Sequence, residues 1–304
     1  MAPQVCGFPS RRNDMNIREK INAARARLVA AGIEHGEAGR DANLLARHVL
    51  GWDRATVYTR ETEEAGADFI ARYDPLIERR ARREPVAYIR GVQEFWSRDF
   101  AVSPAVLIPR PETELIVEEF LARLPEDLPN RKQRVADIGT GSGCIAVTVA
   151  AERPYVEVTA TDISADALRV ARKNADSHGV AERIAFREAA YLTGASDTFD
   201  FILANPPYVT EREYQNLAPE VREYEPAMAL VSGEDGFRDI RQIIDLSTHA
   251  LAPGGMLLME IGYEQADAVA DLVQSFPALR LASIANDLQN IPRVAIIERK
   301  IVTA

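Results

Sequence analysis

Cysteine is scarce: Cys6 and Cys144 are the two in 304 residues, too few for a disulfide framework. That usage fits the reducing cytoplasm rather than a secreted scaffold. The four histidines, His35, His48, His178 and His249, are scattered without ligand spacing, so no metal site is expected. No apolar run approaches the ~20 residues that span a bilayer. Residues 1–15 lack the apolar stretch of a secretory signal and read as a disordered leader, with Met15 as an alternative start. Basic charge is short as well, with 36 Lys and Arg against 46 Asp and Glu and a net charge of −10. A large duplex-binding surface needs clustered cations, so direct nucleic-acid binding is not expected, a small basic patch apart.

What is present is an ordinary globular mixture, 47% hydrophobic and 27% charged. Residues 16–84 place apolar side chains at helical spacing, as at Ile17, Ile21, Ala24 and Leu28, with glycines between short helices. They read as a helical bundle that ends in Arg79, Arg80, Arg82 and Arg83. That run is either a solvated helix end favoured by the helix dipole or a nucleic-acid contact. Residues 85–109 turn β-branched and aromatic and predict a β-hairpin linker with its turn at Gly91. From 110 to 304 strands and helices alternate. The strands expected are 135–138, 156–162, 184–187, 199–204, 256–261, 279–284 and 294–298. Seven strands with intervening helices imply an α/β fold with a doubly wound, Rossmann-like sheet.

In such a sheet ligands lie beyond the C-terminal ends of the strands. The stretch "VADIGTGSGCIAV" places Gly139, Thr140, Gly141, Ser142 and Gly143 between a strand and a helix. Glycines let the backbone turn tightly and approach a ligand. The alternating spacing differs from the G-x-G-x-x-G of dinucleotide turns and suggests a ligand without a diphosphate. Asp162 ends the next strand, where a carboxylate can accept from both hydroxyls of a ribose. Together they fit S-adenosylmethionine; a structural glycine turn with Asp162 capping the next helix is the plain alternative. Cys144, next on the helix, reads as a small packing residue.

The stretch "FDFILANPPYVTE" raises a second site. Asn205 precedes a proline and is pushed into an extended conformation. Pro206 and Pro207 fix their φ angles and carry no N–H, leaving carbonyls as the polar groups. The Asn205 amide oxygen and the Pro206 carbonyl make a pair of acceptors for a planar –NH2, and Tyr208 offers a ring for stacking. Asn205 and Pro206 would then be catalytic, with Pro207 and Tyr208 completing the substrate pocket. A rigid exit from the strand is the alternative. Both sites together suggest methyl transfer from a sulfonium to a planar NH2 group.

"YIRGVQEFWSRDFAVSPAVLIPRPETELIVE", "DIGTGSGCIAV", "NPPYV", "EYEPAMAL", "MEIGYEQ" and "DLQNIPRVAII" resemble HemK/PrmC-type protein-(glutamine-N5) methyltransferases over roughly residues 16–300. NPPY alone is shared with DNA amino-methyltransferases; the "EFW…VLIPRPETE" block is more specific. The resemblance implies S-adenosylmethionine as cofactor and the GGQ glutamine of class-1 peptide chain release factors as substrate. A ribosomal-protein glutamine and a nucleic-acid adenine are the alternatives, and a non-catalytic adaptor is the reading outside enzymes. It also implies that residues 16–84 recognise the substrate and that 110–304 form the methyltransferase domain. Where the family has an acidic residue and an aromatic beside the adenine, this chain has Ala189 and Ala190, followed by Tyr191.

Overall fold

Capping signals account for the first helices. In a computed structural model that describes residues 15–124, 132–194 and 197–301, Asn16 and Glu19 form a reciprocal capping box at the start of α1 (Ile17–Ala30). The predicted leader, Met15 apart, lies outside the described residues. Gly51 ends α2 (His35–Leu50) at φ 66°, and the Asp53 carboxylate caps α3 (Arg54–Arg60). With α4 (Ala67–Ala81) and α5 (Val86–Arg90) these helices make up the first of two units, Met1–Arg90 and Gly91–Ala304. Its core gathers Leu28, Leu45, Tyr73 and Ile77, with the Tyr73 hydroxyl donating to the Ala42 carbonyl at 2.8 Å.

The arginine run serves this unit internally. Arg80 is 1% exposed and bonds to Glu37 at 2.7 Å and Asp41 at 2.6 Å. Arg79 pairs with Glu84, and Arg83 donates to the Gly32 carbonyl. A guanidinium that deep is tolerated because carboxylates meet its fork.

The second unit opens with a hairpin, β1 (Val92–Phe95) and β2 (Arg98–Ala101). The expected linker is corrected here on two points. Residues 86–90 are helical, and the turn is at Trp96 and Ser97, both at positive φ (53° and 56°), not at Gly91. Two positive-φ residues match the right-handed twist of a two-residue hairpin. Glu94 accepts from the Ser97 N–H and Glu114 from the Trp96 N–H, which offsets the cost of that backbone. Gly91, at φ 71°, follows the end of α5 instead.

After α6 (Glu114–Arg123) come β3 (Gln133–Ile138), α7 (Cys144–Glu152), β4 (Val156–Asp162), α8 (Ala165–Ser177), β5 (Ile184–Glu188) and β6 (Phe199–Ala204). Two short helices, α9 (Glu211–Tyr214) and α10 (Pro219–Tyr224), precede α11 (Arg238–Ala250), β7 (Leu251–Glu260), α12 (Ala266–Gln274), β8 (Leu279–Asn286) and β9 (Pro292–Arg299). The sheet runs β5-β4-β3-β6-β7-β9-β8, parallel from β5 to β7. β9 is antiparallel to both neighbours because residues 287–291 are too short a link for a crossover. Val135, Phe201 and Leu203 pack on one face with α6 and α7; Ala136, Ile202 and Ala204 pack on the other with α11 and α12. Both faces being buried explains why these strands read as continuous apolar runs.

Candidate active site

The winding reverses between β3 and β6, so the loops that follow these neighbouring strands open side by side. A cavity of about 490 Å3 lies there, lined by Gly139 to Ser142, Asp162, Ala189 to Tyr191 and Asn205 to Pro207, among others. That volume falls in the range of pockets for small ligands, ~300–1,000 Å3.

One wall is made of backbone. Gly139 and Gly141 have φ of 70° and 55°, and a side chain at Gly139 would meet nothing within 4 Å. The wall is an open cradle that a ligand can fill. The Gly141 N–H donates to Asp162 Oδ2 and the Ser164 N–H to Oδ1, each at 2.9 Å. Each oxygen keeps a further lone pair, so Asp162 can still accept from a ribose while it fixes the loop. Gly143 differs. It does not line the cavity, and a Cβ there would sit 3.1 Å from that of Ala171. Its role is the close approach of α7 to α8.

Beneath this wall Asp137 is fully buried. Its Oδ2 accepts from the Thr140 hydroxyl at 2.6 Å and the Ala146 N–H at 3.2 Å, while Oδ1 has no partner. Burial pushes its carboxyl up to about 7, against those two hydrogen bonds. Cys144 lines the cavity floor, and burial pushes its thiol up to about 12, which agrees with packing rather than nucleophilic chemistry.

The other wall is made of side chains. Asn205 lines the cavity and its Nδ2 donates to Thr113 Oγ1 at 3.0 Å. Thr113 donates in turn to Glu260 Oε2 at 2.7 Å, and Tyr208 OH donates to Glu260 Oε1 at 3.1 Å. Glu260 is 3% exposed at the end of β7; burial raises its pKa, opposed by these hydroxyls. Tyr208 is therefore tied back to the strand end and is not among the residues lining the cavity, whereas Pro206 and Pro207 are. The ring, read from the sequence as a stacking surface, belongs to a side chain whose hydroxyl anchors the loop.

The wall beside Ala189 and Ala190 is completed by Tyr191, whose hydroxyl donates to Asp239 Oδ1 at 2.6 Å. Burial, then Asp239, raises the Tyr191 pKa. Glu225, also buried, accepts from the Ile108 N–H and from Arg110, pinning the segment that leads to Thr113. Asn174 holds the loop from below, donating to the Ser142 carbonyl at 2.8 Å and exchanging bonds with Ala101. Sequence reasoning missed Thr113, Asn174, Glu225, Asp239 and Glu260 as site residues. Thr113, Glu225 and Glu260 stand inside the quoted family blocks, which was the available signal; Asn174 in mid-helix carried none.

Known proteins agree with this layout. Residues 19–91 match the family model described as the PrmC N-terminal domain, and 113–222 match the methyltransferase small domain. A protein of Koribacter versatilis named release factor glutamine methyltransferase is 40% identical over 284 residues, covering 93% of this chain and 98% of that protein. One of Cereibacter sphaeroides with the same name is 41% identical over 280 residues, 92% of this chain and 97% of its own length. Among solved structures, a methyltransferase from Pyrococcus furiosus aligns with TM-score 0.51 at 16% identity, over 74% of this chain and 99% of that one, a likeness of fold alone. With near-complete coverage at this identity, the chain belongs to the release factor glutamine methyltransferases.

Proposed function

We propose that this chain transfers a methyl group from S-adenosylmethionine to the side-chain amide nitrogen of the glutamine in the GGQ motif of class-1 peptide chain release factors. The observation that carries the reading is one cavity lined at once by the glycine loop, Asp162 and Asn205 to Pro207. It offers a seat for a nucleoside beside an acceptor for a planar NH2. S-adenosylmethionine, when bound, supplies a methyl group on a positively charged sulfur. Gly139 to Ser142 would hold its methionine end, Asp162 its ribose, and Ala189, Ala190 and Tyr191 its adenine.

An amide nitrogen is a weak nucleophile because its lone pair is delocalised into the carbonyl. Asn205 Oδ1 and the Pro206 carbonyl would accept its two N–H groups, orient the amide nitrogen in the cavity and stabilise the charge that grows on it. One narrow pocket cannot select a whole protein, so residues 16–84 recognise the release factor in this reading. Arg79, Arg80 and Arg83 are bonded within that unit, which speaks against a nucleic-acid substrate.

Labelled methyl transfer to an intact release factor, to the same factor with GGQ changed to GGA, and to duplex DNA tests the proposal. Label is expected in the first alone; label on the GGA form or on DNA overturns it. Residues from Gly91 onward, expressed alone, should methylate the intact factor far more slowly. Full-rate transfer by that fragment removes the recognition role of the helical unit.

A further inference from the structure

The hydrogen bonds at Asn205 run in one direction, and the direction has a single source. They join residues 52 to 147 positions apart in the chain. The Thr113 hydroxyl has one proton to give and lone pairs to receive. A carboxylate in its ionised form only accepts, so with Glu260 ionised the Thr113 proton points to Oε2. Thr113 then has nothing but lone pairs to offer Asn205. The amide must present its NH2 to Thr113 and keep Oδ1 for the cavity. Without an acceptor-only group at position 260, Thr113 is free to donate to Asn205, the amide turns over, and an NH2 faces the substrate.

We infer that Glu260, acting through Thr113, is the positioning residue that aims the Asn205 amide oxygen into the cavity and so selects a substrate that donates N–H, an amide, over a carboxylate. The inference rests on the proposed function and says how that site distinguishes glutamine from glutamate. A packing role is a poor account of Glu260. The position lies at the end of a strand whose preceding residues Leu257, Leu258 and Met259 are fully buried. An apolar side chain would fill it without the desolvation cost of a carboxylate. Both of its oxygens are instead spent on the two ends of the NPPY tetrapeptide, one through Thr113 and one directly on Tyr208. Burial is the largest influence on it and favours the neutral form, as does Glu112; the Thr113 and Tyr208 hydroxyls and Arg293 favour the charged form.

The test uses the full chain and an intact release factor. Thr113→Val removes the relay at nearly constant volume and charge, and kcat should fall roughly 30- to 100-fold with KM for the factor near wild type. Thr113→Ser, which restores the hydroxyl, should recover kcat to within about fivefold, a rescue that loss of packing would not give. Glu260→Gln should lower kcat about tenfold or more, and combining it with Thr113→Val should cost no more than about twofold beyond Thr113→Val alone, since both act on Asn205. Binding gives a readout apart from turnover. A release factor with GGQ changed to GGE should compete poorly for the wild type and about tenfold better for Thr113→Val, because the site no longer demands a donor. Melting temperatures identify variants that fail to fold, and Thr113→Ser keeps the test decisive if Glu260→Gln is one of them. A folded Thr113→Val within about threefold of wild-type kcat, multiplicative losses in the double variant, or unchanged discrimination against the GGE factor each overturns the inference. A wild type that does not methylate the GGQ factor removes the proposed function and the inference with it; an active wild type with indifferent variants removes the inference alone.

Discussion

The two walls of the cavity are built on different principles. The glycine wall is backbone from one short loop, held by a carboxylate 21 residues further on. The wall at Asn205 is made of side chains from three separate segments, with partners as far as 147 residues apart. Each wall also has a buried carboxylate, and these differ in the same sense. Asp137 leaves one oxygen without a partner, while Glu260 spends both on neighbouring hydroxyls. A backbone wall supplies shape and generic donors, and its buried acid is strained. A side-chain wall supplies direction, and its buried acid is what gives that direction.

Substitutions at the two walls should therefore separate turnover from affinity. The largest effect is expected at Asn205→Ala, which removes the acceptor for the substrate amide. Turnover should fall roughly 10²–10³-fold by analogy with loss of an oxyanion-hole donor. Cofactor affinity, measured by calorimetry, should stay within a few-fold because the glycine wall is untouched. Turnover close to wild type would reduce NPPY to a rigid loop and erase the distinction between the walls. Asp162→Ala should do the opposite. It loses a ribose partner and the anchor of the Gly141 N–H, charge-assisted bonds of ~1.5–3 kcal/mol each, so affinity should drop by one to two orders of magnitude. Unchanged affinity in a folded Asp162 variant contradicts the assignment.

Gly143→Ala tests whether the glycine wall is uniform. A Cβ at φ 80° that lies 3.1 Å from Ala171 should cost about 1–3 kcal/mol of stability in urea titrations. The cofactor affinity of the folded fraction should not change. A loss of affinity at full stability would return Gly143 to the binding surface. The smallest effect should come from Asp137→Asn and depend on pH. Burial raises the Asp137 carboxyl from its ordinary 3.8 to about 7, so the folded state holds a proton that the unfolded state has released. Stability from that proton is complete below the unfolded pKa and is lost as pH rises through about 7. Wild type should lose on the order of 1–2 kcal/mol relative to Asp137→Asn between about pH 6 and 8. Parallel stability curves would mean that Asp137 is ionised throughout.

Legibility in the sequence followed the range of the interactions. The strands at 156–162 and 199–204 were read to the residue, the first from buried Val156, Val158 and Ala160 alternating with Glu and Thr, the second from the apolar run Phe201 to Ala204. The end of α8 was readable because Gly179 adopts the left-handed conformation that its identity signals. The hairpin turn was misplaced for the reverse reason. Gly91 carried the turn signal but ends a helix, while Trp96 and Ser97 take positive φ because Glu94 and, 18 residues away, Glu114 hold their N–H groups. Asp162 was found with its loop, but its bonds to Gly141 and Ser164 could not be read from its identity.

By itself the sequence determined the α/β class, the glycine loop, Asp162 and the NPPY segment. Those features rest on local rules of backbone conformation and apolar periodicity that hold wherever the chain goes. Only the tertiary structure decided that Tyr208 turns back to Glu260, that Gly143 packs against Ala171, and that Thr113 stands between Asn205 and a buried carboxylate. The physical reason is that a hydroxyl or an amide can face either way. Its direction is set by the partner that folding brings to it, and these partners lie 52 to 147 residues away along the chain.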